Sequence, residues 1–532
     1  MFTQKPLKKQ KSEKVLLIRF SFFFWILTIY PFIIKGQLNV VNHEIEWMFD
    51  DGLSFGDTSW NSNSTSLEAY FIFDDLATDT FHFPSKNKFI DWMFNKDIYG
   101  TTNQEYSFRL NPIFDLKTGG GDYLSTRRGG YAAGTIGSKF QWCSSFYENY
   151  QSSDPRITKK VEFTTVAPGE AEVKNPIGSS DYSVSTGGLS YRFSKYYKIT
   201  AGHGKNFIGN GYRSLLLSDA AGNYPFLRND ITIGRVKYTT ILGEFLDYTN
   251  DLISDDLKRK KYGSFHYLDV LATKKLKVAF FEAVIWEADS SSRTELELNY
   301  LNPFVLLRPL EYNIGSPDNM LLGLNISWNI HQSVSLYGQL VMDELHSDNL
   351  INNPTWWANK YGFQSGLKLH KLPIKNLVIL GEHNSVRPFT YSHRTSGKNY
   401  GHNYNSLAHP YGANFREFIA VVNYRWNRVN FNTRFVYLFG GEELSEDISN
   451  GTDIFKPYSD REFQNGYRIG YGEEYKQLYF DTKLSYILNP KYLLMLELGY
   501  QNRTELLNET IENHHYLYGG LRTSLFNLYY DY

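Results

Sequence analysis

From about residue 100 onward, apolar side chains return at every second position in runs of about nine residues, and this period of two decides what the chain can become. In FIAVVNYRW, Phe418, Ala420, Val422, Tyr424 and Trp426 share one face, while Asn423 and Arg425 point the other way. After Asn427 and Arg428 the parity switches. Val429, Phe431, Phe435 and Tyr437 then alternate with Asn430, Asn432 and Arg434, which predicts a hairpin with a tight Asn-Arg turn. Met320–Trp328 and Val334–Leu340 repeat the pattern around an HQS turn. Tyr361–Leu369 and NLVILGEH repeat it around KLPIK, and Leu478–Tyr486 and Tyr492–Tyr500 around an Asn-Pro-Lys turn at 489–491. Strands of this length cross a bilayer when tilted.

Tight turns alternate with long connections at 203–229, 287–299, 343–360, 384–415, 439–474 and 502–514. Short turns at one end and long loops at the other are the mark of an outer-membrane barrel. A soluble sandwich or propeller has no need of strands so consistently apolar on one face. Composition agrees. Aromatic residues make up 17% of the 532, led by 41 Tyr, yet the mean hydropathy is −0.42, as expected of a wall with aromatic girdles and a polar interior. The net charge of −1 gives no basis for a nucleic-acid partner. Cys143 is the only cysteine, so an intrachain disulfide and a thiolate zinc site are both excluded.

The N-terminus reads as export. Lys5, Lys8, Lys9, Lys11, Lys14 and Arg19 precede the apolar run Phe20–Ile34, which is too short for a spanning helix and matches a signal peptide cleaved near Gln37. Three parts follow: a signal peptide at 1–36, a small, partly helical periplasmic segment at 37–104, and an antiparallel transmembrane barrel of the outer membrane at 105–532. A candidate helix lies near Lys86–Lys96 in the second part. The final HHYLYGGLRTSLFNLYYDY is expected to be a terminal strand ending in an aromatic residue, and the long loops are expected at the cell surface.

The glycine-rich stretch AGHGKNFIGNGYRSLLLSD (201–219) suggests a phosphate cradle, but Gly204-Lys205 is followed by Asn206, and neither the P-loop nor the dinucleotide spacing is met. Glycines here instead permit a sharp fold after a strand. YRSLLLSD is expected to form a helical turn stopped by Pro225, in a loop folded into the barrel lumen with Arg213, Asp219 and Arg228 around Leu215–Leu217. The loop 382–415 carries His383, His393, His402 and His409 at spacings that match no metal motif. Its Tyr, Asn and Arg side chains suit either saccharide contact or a self-packed polar loop. Arg308 and Glu311 read as an ion pair near a strand end, and no nucleophile–base pair is evident. No catalytic residue, metal or cofactor is therefore expected. The candidate residues for holding a glycan or an internal plug are His203, Lys205, Asn206, Arg213, Asp219, Tyr224, Arg228, Arg308, Glu311, Arg387, Tyr391, His393, His409 and Asn414.

The ordered motifs GHGKNFIGNGYRSLLLSD, NYPFLR, RPLEYNIGSPDNMLLGL, YGQLVMDEL, WWANKYGFQSGLK, VRPFTYSH and LAHPYGANFREF resemble the Wzi-type capsule assembly family of Bacteroidetes, and within it the RemB-type gliding-motility branch. The resemblance runs from about residue 105 to the C-terminus. It implies a barrel of about 18 strands, occluded, that binds or anchors capsular polysaccharide at the cell surface. The gliding branch implies instead a membrane component working through gliding or secretion proteins. A pore for polysaccharide or small solutes is the third possibility.

Overall fold

The computed structural model describes residues 43–49, 63–70, 83, 85–120, 123–152, 155–247, 258–287, 297–302, 309, 318–344, 347–445, 447–523 and 526–532. The expected signal peptide and the Arg308–Glu311 pair lie outside them.

Eighteen antiparallel strands close into a barrel. In chain order they are β1 (Tyr106–Gly119), β2 (Leu124–Ile136), β3 (Phe140–Ser152), β4 (Ser180–Arg192), β5 (Tyr197–Gly204), β6 (Tyr224–Ile233), β7 (Val236–Asp247), β8 (Arg259–Leu271), β9 (Leu276–Glu287), β10 (Asn319–His331), β11 (Val334–Glu344), β12 (Lys360–His370), β13 (Leu377–Val386), β14 (Phe415–Trp426), β15 (Val429–Glu442), β16 (Glu473–Asn489), β17 (Leu494–Leu507) and β18 (Thr510–Thr523). Each pairs with its neighbours in sequence, and β18 closes on β1 from Tyr518↔Gly119 to Arg522↔Asp115. Where β18 stops, the short strand Tyr99–Thr102 continues the seam, pairing with Ser107–Leu110 of β1.

The alternation read from the sequence sorts side chains between wall and lumen. On β14, Phe418 and Trp426 are exposed, while Glu417, Ile419, Val421, Asn423 and Arg425 are buried. Leu484 of β16 and Leu496 and Leu498 of β17 lie outside, with Gln477, Asp481, Glu497 and Arg503 inside. Apolar side chains bare to the surroundings and charges hidden within is the reverse of a soluble protein, and is the arrangement a lipid solvent requires. Near the turn end, Tyr106, Trp328, Trp426 and Tyr486 stand exposed as an aromatic girdle.

The hairpin turn at Asn427 forms with φ +51°, a conformation asparagine tolerates. Three local expectations are corrected. The stretch 502–514 is no long loop: β17 and β18 run on to a two-residue turn at Asn508 and Glu509, both with positive φ. The strand tips are exposed on both faces there, Ile511 as much as Glu512, so the period of two carries no signal. YRSLLLSD is not helical. It runs irregularly with a bridge between Ile208 and Leu217, because wall side chains take up its backbone amides. Pro225 accordingly stops no helix and lies in β6. The chain does not end in a wall strand either. Residues 526–532 lie inward of it, and Tyr529 and Asp531 are buried in the lumen among charged partners.

Candidate functional site

The segment 205–223 leaves β5, crosses the lumen and meets the opposite wall. Glu382 of β13 accepts hydrogen bonds from the amides of Tyr212 (2.7 Å) and Arg213 (3.1 Å) and from the Tyr337 hydroxyl (2.7 Å). A side chain at Gly211 would collide with that carboxylate, so glycine permits the approach. The amides of this glycine-rich stretch thus do cradle an anion, and the anion is a wall carboxylate of the same chain. Gln339 of β11 accepts from the Leu215 amide at 2.7 Å.

Arg213 is fully buried. It pairs with Glu417 of β14 at 2.9 Å and with Asp531 of the inward-turned tail at 3.0 Å, and it lies against the rings of Tyr212 and Tyr529. A buried guanidinium persists only with such pairing. Asp219 accepts from the Tyr529 hydroxyl and from Asn527, both at 2.8 Å. Lys205 donates to the carbonyls of Gly169 (2.7 Å) and Asp219 (2.9 Å). Arg228 holds Asp230 at 2.9 Å and reaches the Ser64 carbonyl at 3.1 Å and Asn206 at 3.3 Å. The strand Asn63–Thr65 pairs with Asn206–Ile208, and Tyr224 is buried nearby with its hydroxyl facing Asn206.

Part of the segment expected before the barrel is therefore inside it. Helix α1 (His43–Phe49) lies in the lumen. Glu44 binds Arg522 (2.5 Å) and Lys483 (3.0 Å), Glu46 binds Lys368 (3.0 Å), and the Met48 carbonyl accepts from Arg425. Burial works to raise both carboxyls. The lysine and arginine partners outweigh it and hold each at about 2. These acids gave no sequence signal, since their partners lie more than 300 positions away.

The loop 387–414 closes the lumen from the other end. Tyr391 and Tyr400 donate to the carbonyls of Leu215 (2.7 Å) and Leu216 (2.6 Å). Arg387 donates to the Asn359 carbonyl at 2.7 Å, and Asn414 bonds Thr452 and the Tyr471 carbonyl at 2.8 and 2.7 Å. The four histidines do not converge on one site. His383 stacks on Phe418. His409 donates to Glu417 at 2.7 Å. His402 accepts from the Leu246 amide at 3.0 Å, so its other nitrogen carries the proton toward the Asn223 carbonyl. Burial lowers His402 and His393 to about 3, so both are neutral near pH 7. Of the candidates named from sequence, His203 alone among the described ones is exposed, near the end of β5.

A second cluster sits at the loop end and was not named from sequence. Trp357 and Tyr458 have ring centroids 4.7 Å apart. The Arg461 guanidinium covers Trp357 at 3.9 Å, the Lys360 ammonium lies 4.4 Å from Tyr458, and His393 flanks it at 5.8 Å. Trp357 is half-buried and donates to Gln464 at 2.9 Å, and Arg394, Thr395, Asp460 and Asn465 are exposed around it. The paired tryptophans of WWANKYG and the candidate His393 are the sequence traces of this platform, because Tyr458 and Arg461 lie about a hundred positions beyond Trp357.

The closed wall, apolar belt and filled lumen define the class: an 18-strand antiparallel barrel of the outer-membrane type. Within that class the fold is similar to Wzi of Escherichia coli, described as an outer membrane protein involved in group 1 capsule assembly and a carbohydrate-binding β-barrel. Identity is 12%, coverage is 93% of this chain and 100% of that one, and the TM-score is 0.52. The barrel is also similar to OprD of Pseudomonas aeruginosa, at 11% identity over 78% of this chain and 94% of that one, with a TM-score of 0.41. No protein-family model matches the chain, and no curated protein matches it.

Proposed function

We propose that the protein is a non-enzymatic, occluded barrel of the outer membrane that binds or anchors surface polysaccharide through its loop end. The observation that carries this reading is the filling of the lumen. Segments 43–49, 63–70, 205–223 and 526–532 meet there through buried charges, with Arg213, Arg228 and Arg503 all fully enclosed. A wall so plugged serves as a rigid platform, which disfavours the pore. The Trp357–Tyr458 pair, with Arg461 and the neighbouring amide and hydroxyl groups, sets aromatic rings beside directional donors, the side-chain chemistry that holds a sugar. The likeness in fold to a carbohydrate-binding barrel supports the same reading. The sequence resemblance to the capsule assembly family, and to its gliding branch, belongs to this proposal. If the gliding role holds, the same loop platform meets protein partners instead.

The test is retention of purified surface polysaccharide by the protein, with Trp357→Ala and Arg461→Ala as variants. Binding lost in the Trp357 variant and weakened in the Arg461 variant, with the barrel still folded, supports the proposal. A wild-type protein that retains no surface glycan sinks it in favour of the protein-partner role. Arg387 and Tyr391, buried and bonded to backbone carbonyls, are poorer choices, because their loss disturbs the loop itself.

A further inference from the structure

Ahead of β1, helix α2 (Lys88–Asn95) turns Asp91 and Asn95 toward protein beside the half-buried Ile90 and Phe94, the latter stacked on Phe83. Asn95 donates to Asp91 and to the Phe83 carbonyl, both at 2.9 Å, and its side-chain oxygen accepts from Arg428 at 3.2 Å. Asp91 pairs with Lys96 at 2.7 Å. The other apolar side chains of the helix face away: Phe89 is 58% exposed, Trp92 37% and Met93 38%, followed by Ile98 at 40% and Tyr99 at 58%. In water this orientation forfeits the burial that would normally fix a helix. Yet the helix is clamped, since Asn489 donates to the carbonyls of Met93 and Lys96, both at 2.9 Å, so the apolar face cannot roll inward.

That face continues into the outer wall. Phe89 meets Trp92 at 5.8 Å, Tyr99 meets Phe108 at 5.9 Å, and Phe108 meets Trp142 at 6.0 Å. Between Tyr99, Thr101, Tyr106, Phe108, Ile136 and Trp142 runs an open groove of about 630 Å³. Phe108, Ile136 and Trp142 lie on the lipid-facing side of β1–β3 at the turn end, level with the girdle. Lys86, Lys88 and Lys96 are exposed around the helix.

We propose that this is a lipid-docking surface. Helix α2 lies in the bilayer interface at the turn end of the barrel. Phe89, Trp92 and Met93 sit at the acyl boundary, the three lysines sit among phosphate headgroups, and the groove takes a phospholipid acyl chain. The occupant follows from continuity, because the groove and helix face extend a wall whose solvent is already lipid. An outward apolar face with flanking lysines is how an interfacial helix binds.

The test places the full chain in phosphatidylethanolamine–phosphatidylglycerol vesicles, with single nitroxide labels in a Cys143→Ser background. Label sites are Phe89→Cys and Trp92→Cys, with Leu498→Cys on the wall and Lys371→Cys at an exposed turn as references. Collision rates with oxygen and with a water-soluble nickel chelate report depth. The expected result is that labels 89 and 92 favour oxygen, as label 498 does, while label 371 favours nickel. If 89 and 92 follow 371 while 498 still reports lipid, the docking surface is overturned and the barrel's membrane placement stands. If 498 also favours nickel, that placement fails and the inference with it.

Discussion

Along β14, Glu417 is hidden and Phe418 is bare; along β17, Glu497 is hidden and Leu498 is bare. The same strand presents two environments one residue apart, and the two faces are held by different physics. The outer face gains nothing from packing against protein and depends on lipid as its solvent. The inner face is held by charge pairing over long range together with a buried apolar cluster around Leu215, Leu216 and Leu217. The lesson is that substitutions of the same kind should cost very different amounts on the two faces, and for different reasons.

The largest effect is expected inside. Arg213→Met leaves the buried Glu417 with only His409 and the buried Asp531 with only Arg434 as ionic partner, and should cost about 3–5 kcal/mol. It is read as a fall in the temperature at which the folded, faster-migrating gel band disappears. Next is the wall. Leu498→Arg should cost about 2–4 kcal/mol if the site lies near the bilayer midplane, measured by denaturant unfolding in lipid. A change within about 0.5 kcal/mol, as at a water-exposed surface, would erase the contrast between the faces. Third is the pH response of the plug. Glu44 and Glu46 are held at about 2 against an ordinary 4.5. Carboxyls depressed by folding contribute stability that is whole above the ordinary value and is lost as pH falls toward the depressed one. Docking of residues 43–49 should therefore loosen between pH 4.5 and 2, seen as faster hydrogen exchange after correction for intrinsic rates. The smallest effects belong at the rim. Arg461→Ala should weaken polysaccharide retention by about 0.5–1 kcal/mol. Breaking the exposed Arg128–Glu148 pair on the outer wall should change stability by no more than about 1 kcal/mol.

The wall was legible because period two is local: Phe418 through Trp426 declare a face without reference to anything outside the strand. The inward fold of 205–223 was legible in part, from glycines and paired charges within one window. Its partners were not, since Gln339, Glu382, Glu417 and Asp531 lie over a hundred positions away, and wall acids look alike in sequence wherever they point. The same remoteness hid α1 and the inward tail. At the tips of β17 and β18 the signal itself fails, because strands standing clear of lipid carry polar residues on both faces.

The pairing of Arg213 with Asp531 spans most of the chain, and that distance has a kinetic meaning. Loop closure over such separations is slow, and contacts of this kind reward the chain only after nearby ones have formed. Hairpins of the wall join residues close in sequence, while the β18–β1 seam and the plug's ties to the far wall and tail join residues hundreds apart. A folding chain should therefore pass through a stage with paired hairpins, an open seam and an unfilled centre. The final step is the arrival of the tail at a guanidinium whose other partner, Glu417, is already in place.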